Sequence, residues 1–223
     1  MKKLLLLPLV AFLYASIPHL ALAVDPASSA KYEKDIAAFE AADRAHPPEK
    51  GGILFVGSSS IRLWKTLTQD FPTHHVINRG FGGSVMADSM VFADRIVIPY
   101  EPKLIVVYAG ANDISGGKSP ETVAADFREF VEKVRAKLPN EPIDYISIAG
   151  NPARWGQVEK VKAANALVEK YCHDTPGLKF IDVFSHMMGT DGTPRPEIFG
   201  PDKLHMNAEG YKLWTQLIGP YLD

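Results

Sequence analysis

Apolar residues along this chain fall into short dense runs separated by longer stretches with helical spacing. ILFVG (53–57), HHVIN (74–78), LIVVYAG (104–110), IDYISIAG (143–150) and KFIDVF (179–184) read as strands. LIVVY and ILFV are almost unbroken apolar runs, as expected of strands buried on both faces of a parallel sheet. Helices are expected over about Ser29–Ala45, Val85–Ile96, Pro120–Lys137, Gln157–Tyr171 and Asn207–Leu222. Ser119 stands as an N-cap with Pro120 at the first helical position. In the last helix Tyr211, Trp214, Ile218 and Tyr221 form a stripe that reads as core packing. The alternation of strands and helices argues for a three-layer α/β domain with a mainly parallel sheet. Ligands of such sheets bind beyond the carboxyl ends of the strands, often at the topological switch point.

The first residues do not fit this pattern. Lys2 and Lys3 precede an apolar stretch that ends at Ala21-Leu22-Ala23, the layout of an export signal with a small-residue cleavage site. Pro18 and His19 interrupt the stretch, which disfavours a membrane anchor. The reading is a signal peptide over 1–23 and a single domain over 24–223, a periplasmic or secreted protein with no stable membrane insertion once the signal is cleaved. The formal net charge is −2, and both signs are interspersed, so no basic block points to nucleic acid. Cys172 is the sole cysteine, which excludes an intramolecular disulfide and leaves stability to packing.

Chemistry gathers where the chain leaves a strand. Gly57-Ser58-Ser59-Ser60 follows the first strand, Asn78-Arg79-Gly80-Phe81-Gly82-Gly83-Ser84 the second, and Gly110-Ala111-Asn112-Asp113 the third. Asp202-Lys203-Leu204-His205 precedes the last helix. Each has a plain account when taken alone: a helix cap, a turn requiring positive φ, ordinary Asn-Asp turn chemistry, a surface pair. Nucleotide loops fail on spacing. A dinucleotide fingerprint from Gly80-x-Gly82 needs glycine where Val85 stands, and a phosphate loop ending Gly117-Lys118-Ser119 needs glycine where Asn112 stands. His74 and His75 are adjacent, point to opposite faces of a strand and do not easily share an ion. Asp202 and His205 supply two possible ligands, but no further cluster is apparent.

Nucleophilic catalysis uses all four segments at once. Acyl transfer needs an activated hydroxyl, a base, a group orienting the base, and donors for the oxyanion. A serine just past a buried strand presents its hydroxyl at the sheet edge. Gly83 offers an unobstructed backbone N–H and Asn112 a side-chain amide. His205 can accept the serine proton, and Asp202, three residues earlier, can reach the other ring nitrogen.

In order and in residues, these blocks resemble the SGNH (GDSL-type) hydrolase family. Gly57-Ser58-Ser59 is similar to its Gly-Asp-Ser block, Asn78 to Gly83 to its second block, Gly110-x-Asn112-Asp113 to its third and Asp202-x-x-His205 to its last. The resemblance implies a flavodoxin-like α/β/α fold with a five-stranded sheet. It implies Ser59 as nucleophile, His205 as base and Asp202 as its orienting carboxylate. The implied oxyanion donors are the Ser59 and Gly83 amides and the Asn112 side chain, and no metal or organic cofactor is implied. Ser58 departs from the family pattern, which often has Asp there. The Gly-x-Ser-x-Gly elbow of ordinary α/β-hydrolases is absent from the sequence.

Asn151 to Trp155 follow the fourth strand at the expected site edge. Trp155 is a candidate for stacking on a sugar or lining an acyl pocket, with Arg154 on a polar group of the substrate. Phe81 is a further candidate for substrate binding, and Met86 and Phe199 are weaker ones. The expected function is an exported serine esterase acting through an acyl-enzyme, with short acyl esters of carbohydrates or similar polyols preferred. Lysophospholipid or thioester cleavage, acyl transfer to a polyol, and a catalytically silent carbohydrate-binding module are the alternatives.

Overall fold

The structure, a computed structural model, describes residues 29–223, so the expected leader over 1–23 lies outside the described residues. Five strands, β1 (Ile53–Gly57), β2 (Val76–Gly80), β3 (Leu104–Tyr108), β4 (Ile143–Ile146) and β5 (Leu178–Ile181), form one sheet in the order β2-β1-β3-β4-β5. Every pairing is parallel. From β1 the chain crosses to β2 on one side, then returns to β3 on the other. The switch point therefore lies between the carboxyl ends of β1 and β3.

All residues of β1 and β3 are buried, which explains why these runs show no polar alternation. Helices α1 (Glu33–Ala45), α2 (Pro120–Arg135) and α3 (Val158–Asp174) cover the face carrying Leu54, Val56, Ile105 and Val107. The other face, with Ile53, Phe55, Val106 and Tyr108, packs on α4 (Ala208–Ile218) and the chain leading into it. Trp64 is the hub of that layer. Its ring meets those of Phe55, Phe71, Tyr211 and Trp214 with centroids 5.3–5.9 Å apart. Ser119 caps α2 as expected, its Oγ accepting from the Thr122 amide at 3.2 Å.

Some expected boundaries move. β2 covers 76–80 rather than 74–78, because pairing with β1 carries it through the polar Arg79 to Gly80. β3, β4 and β5 stop short of their apolar runs, whose ends (Ala109, Ile148, Ala149 and Val183) are buried outside the ladder. The single helix expected over 85–96 is two short ones, Met86–Val91 and Ala93–Ile96, meeting at Phe92.

Candidate active site

The turn after β1 is built for close approach. Gly57 has φ +138°, and a Cβ there would lie 1.9 Å from the Tyr108 carbonyl oxygen of β3, so only glycine fits. The Ser58 amide donates to that same oxygen at 3.0 Å. The chain then enters a short helix, Ser59–Arg62, whose Ile61 and Arg62 amides donate to the Ser58 carbonyl, both at 3.1 Å. Ser59 is thus the first helical residue, at the rim of the sheet beside the switch point. Gly80 lets this helix seat on β2, since a Cβ there would lie 2.3 Å from the Arg62 amide nitrogen. Asn78 fastens the pair, its Nδ2 donating to the Ile61 carbonyl at 2.7 Å. Tyr211 of α4 donates its hydroxyl to the Ser60 carbonyl at 2.9 Å.

His205 arrives on a tight loop before α4. Phe199 and Met206 pair as an antiparallel bridge at its neck, the Gly200 amide donates to the His205 carbonyl at 2.8 Å, and Lys203 takes a left-handed turn at φ +55°. Asp202 Oδ1 accepts from the Leu204 and His205 amides, both at 3.0 Å, and Oδ2 lies 2.6 Å from His205 Nδ1. The His205 amide first, then the Leu204 amide and the His205 ring hold the Asp202 carboxyl down at about 2. An ionised carboxylate only accepts, so Nδ1 carries a proton, and in the neutral ring Nε2 then presents its lone pair. Ser59 Oγ donates to that nitrogen at 3.0 Å. Ser59 and the Asp202–His205 pair, 146 residues on from Ser59 to His205, are thereby joined in one hydrogen-bonded line, with the serine proton aimed at His205 Nε2.

Asn112 stands across from the serine, in the helix Ala111–Ser115 that follows β3. Its Nδ2 donates to Ser58 Oγ at 2.8 Å and to the Ser84 carbonyl at 3.0 Å. Ser59, Asn112 and His205 line one cleft, which Met187, Phe199 and Trp214 also border. The Ser59 amide, at the free end of its helix, meets no backbone acceptor among the described residues. Gly83 has φ +83° and an exposed backbone with no hydrogen bond from its amide among the described residues, but it does not line the cleft itself.

The candidates for substrate contact divide. Phe81 is fully buried and packs edge-on against Tyr32 and Phe92 at 5.2 and 5.9 Å. It is a core residue of the helix-covered layer and not a wall of the cleft. Met86 is likewise fully buried. Phe199 borders the cleft. Trp155 is half-buried and lines a neighbouring hollow with Ile148, Val158 and Val161. Arg154 borders both and bonds to the protein itself, donating from Nη1 to Asn112 Oδ1 at 3.0 Å.

Two contributors were not expected from the sequence. Ser84 supplies the carbonyl that holds Asn112. Asp113 is fully buried, and its carboxylate accepts from the Met86 amide at 3.1 Å and from Lys118 at 2.9 Å. It ties the loop after β2 to the loop after β3. Burial raises its pKa, and Lys118 opposes the rise. A signal for it was present, since Asp113 adjoins Asn112 in the third block. Among the described residues no group of three or more His, Cys, Asp or Glu side chains could hold a metal, and no helix is long and apolar enough to cross a membrane.

The family model of the GDSL-like lipase/acylhydrolases matches residues 55–213. No curated protein sequence matches this one. Solved structures do. A Streptococcus pneumonia protein described as a candidate platelet activating factor has a TM-score of 0.77 at 20% identity, covering 89% of this chain and 96% of that one. A GDSL-like lipase from Bacteroides thetaiotaomicron gives 0.70 at 22%, covering 89% and 98%. A mutant of an acetyl-xylooligosaccharide esterase from Geobacillus Stearmophilus gives 0.61 at 14%, covering 78% and 95%. At these identities the likeness establishes a shared fold.

Proposed function

The chain belongs to the GDSL-like lipase/acylhydrolase family and is a carboxylic ester hydrolase, and from that premise we propose a serine esterase that works through an acyl-enzyme on short acyl esters of carbohydrates or similar polyols. The observation that carries the catalytic assignment is the line Asp202–His205–Ser59, at 2.6 and 3.0 Å. Ser59 Oγ attacks the ester carbonyl carbon as its proton passes to His205 Nε2. The carbonyl oxygen becomes an oxyanion, received by the Ser59 amide and the Asn112 side chain, which border the cleft; the Gly83 amide, implied by the resemblance, stands outside that border. Collapse breaks the bond to the alcohol, which leaves with the proton from His205. Water then attacks the acyl-enzyme, with His205 as base, and returns Ser59.

The short-acyl reading is supported by the cleft wall. Met187 and Trp214 are fully buried and Phe199 nearly so, so the bordering side chains are fixed in the core rather than parted around a long groove. The acetyl-ester neighbour and the half-buried Trp155, a ring suited to stacking on a sugar, point the same way. Export rests on the pattern of residues 1–23 alone. The test is a series of chromogenic esters of graded acyl length. Acetyl esters should be turned over fastest, with kcat/KM falling as the acyl chain lengthens. A maximum at long acyl chains would favour the lysophospholipase reading. Inactivity towards acetylated sugars, lipids and thioesters alike would return the silent binding module.

A further inference from the structure

An oxyanion donor is useful only if it points the right way before the substrate arrives. A side-chain carboxamide can present either its oxygen or its nitrogen, so Asn112 needs a device that fixes its orientation. The structure contains one. Asn112 Oδ1 accepts from Arg154 Nη1 at 3.0 Å, while Nδ2 donates to the Ser84 carbonyl at 3.0 Å. A guanidinium only donates and a backbone carbonyl only accepts. Turning the amide by half a revolution would set N–H against N–H and oxygen against oxygen, turning both attractions into repulsions.

Arg154 is itself held where this requires. Its Nη1 also donates to the Ala111 carbonyl at 3.2 Å, one residue before Asn112. Its backbone amide donates to Asn151 Oδ1 at 3.0 Å, within the 3-10 turn Pro152–Gln157. It makes no hydrogen bond to Ser59, Asp202 or His205 among the described residues. A cation on the amide oxygen also draws electron density from the nitrogen and strengthens its N–H as a donor. The remaining Nδ2 hydrogen rests on Ser58 Oγ, 2.8 Å away and adjacent to the nucleophile.

We propose that Arg154 is a positioning residue of the oxyanion hole. It orients and polarises the Asn112 carboxamide so that the N–H resting on Ser58 Oγ is free to pass to the oxyanion. This replaces the expected contact between Arg154 and the substrate. The inference rests on the hydrolase reading above, and its test separates the two.

The test is a double-mutant cycle of Arg154→Gln and Asn112→Ala, assayed on a chromogenic acetyl ester. Arg154→Gln should lower kcat by about 10- to 100-fold with KM changed less than about twofold. In the Asn112→Ala background the same change should cost less than about twofold, because its target is gone. A raised KM, or an equal loss in both backgrounds, would overturn the proposal in favour of direct substrate contact. Arg154→Lys, which keeps the charge but not the planar fork, serves if the Gln variant does not fold, and should lose kcat in the same sense. A second readout needs no turnover. The two Nδ2 proton resonances of Asn112, assigned by their loss in Asn112→Ala, should be dispersed in the wild type and collapse towards free-amide positions in Arg154→Gln. Unmoved resonances would overturn the proposal even if the enzyme is active. A wild type inactive on every ester would overturn the hydrolase reading, and that failure is recognised separately from an active wild type with an equally active Arg154→Gln.

Discussion

At the scale of single residues, the three consecutive serines have three different surroundings. Ser58 is buried and accepts from Asn112, Ser59 donates to His205, and Ser60 gives its carbonyl to Tyr211. Their inequality comes from backbone geometry, since Gly57 alone fits against Tyr108 and the helix begins immediately after Ser58. Asp202 is also defined by its contacts. About half of its side-chain surface is open to water, so its charge is screened and its main contribution is to hold the His205 tautomer. Its carboxyl lies at about 2, below its ordinary value. The stabilisation from its bonds is therefore present above the unfolded carboxylate range and is lost only as pH falls through about 2. A fall in activity at pH 5–6 would not come from Asp202. Asp202→Asn should lower kcat by up to about 10⁴-fold, with KM little changed in a steady-state assay. That Ser59, Asn112, Asp202 and His205 meet in one cleft was legible because their types and order carry the chemistry proposed for them. The surroundings of Phe81 were not, because a glycine-rich neighbourhood says nothing about which face an adjacent aromatic ring takes.

At the scale of elements, the strands were legible from their unbroken apolar runs, and the exceptions follow from pairing. Arg79 belongs to β2 although polar, because hydrogen bonding to β1 decides strand extent there. One strand residue runs against the pattern more sharply. Asp144 lies within β4, fully buried, and neither carboxylate oxygen has a hydrogen-bond partner among the described residues. Burial pushes its pKa up to about 6, with the Lys179 charge on β5 opposing the rise. The sign follows from the direction. The folded form favours protonated Asp144, so its stability contribution is fully present below the unfolded carboxylate pKa and is lost as pH rises through about 6. Asp144→Val removes this dependence. Its stability relative to the wild type should increase by about 2.5 kcal/mol between pH 4 and pH 8, as read from urea midpoints at the two pH values. An unchanged difference would show that the carboxyl ionises freely in the folded protein.

At the scale of the whole molecule, the site exists only because distant segments meet at one edge of the sheet. The crossover from β2 to β3 sets Ser59 beside Asn112, and α4 with its preceding loop brings Asp202 and His205 over the other face. Parallel topology was readable from the order of elements, since buried strands alternating with helices leave few other arrangements. What could not be read was the cross-bracing between loops: Arg154 on Asn112, Ser84 under Asn112, and Asp113 on Met86. Those contacts depend on where three loops converge in space, and no spacing within one segment encodes that. The central claim is that this convergence makes Ser59, alone among the three serines, the nucleophile. The most direct test is to label the folded protein with a fluorophosphonate and locate the adduct by peptide mass. The label should sit on Ser59, vanish in Ser59→Ala and stay on Ser59 in Ser58→Ala, whereas an adduct on Ser58 or Ser60, or undiminished labelling and ester hydrolysis in Ser59→Ala, would contradict the account.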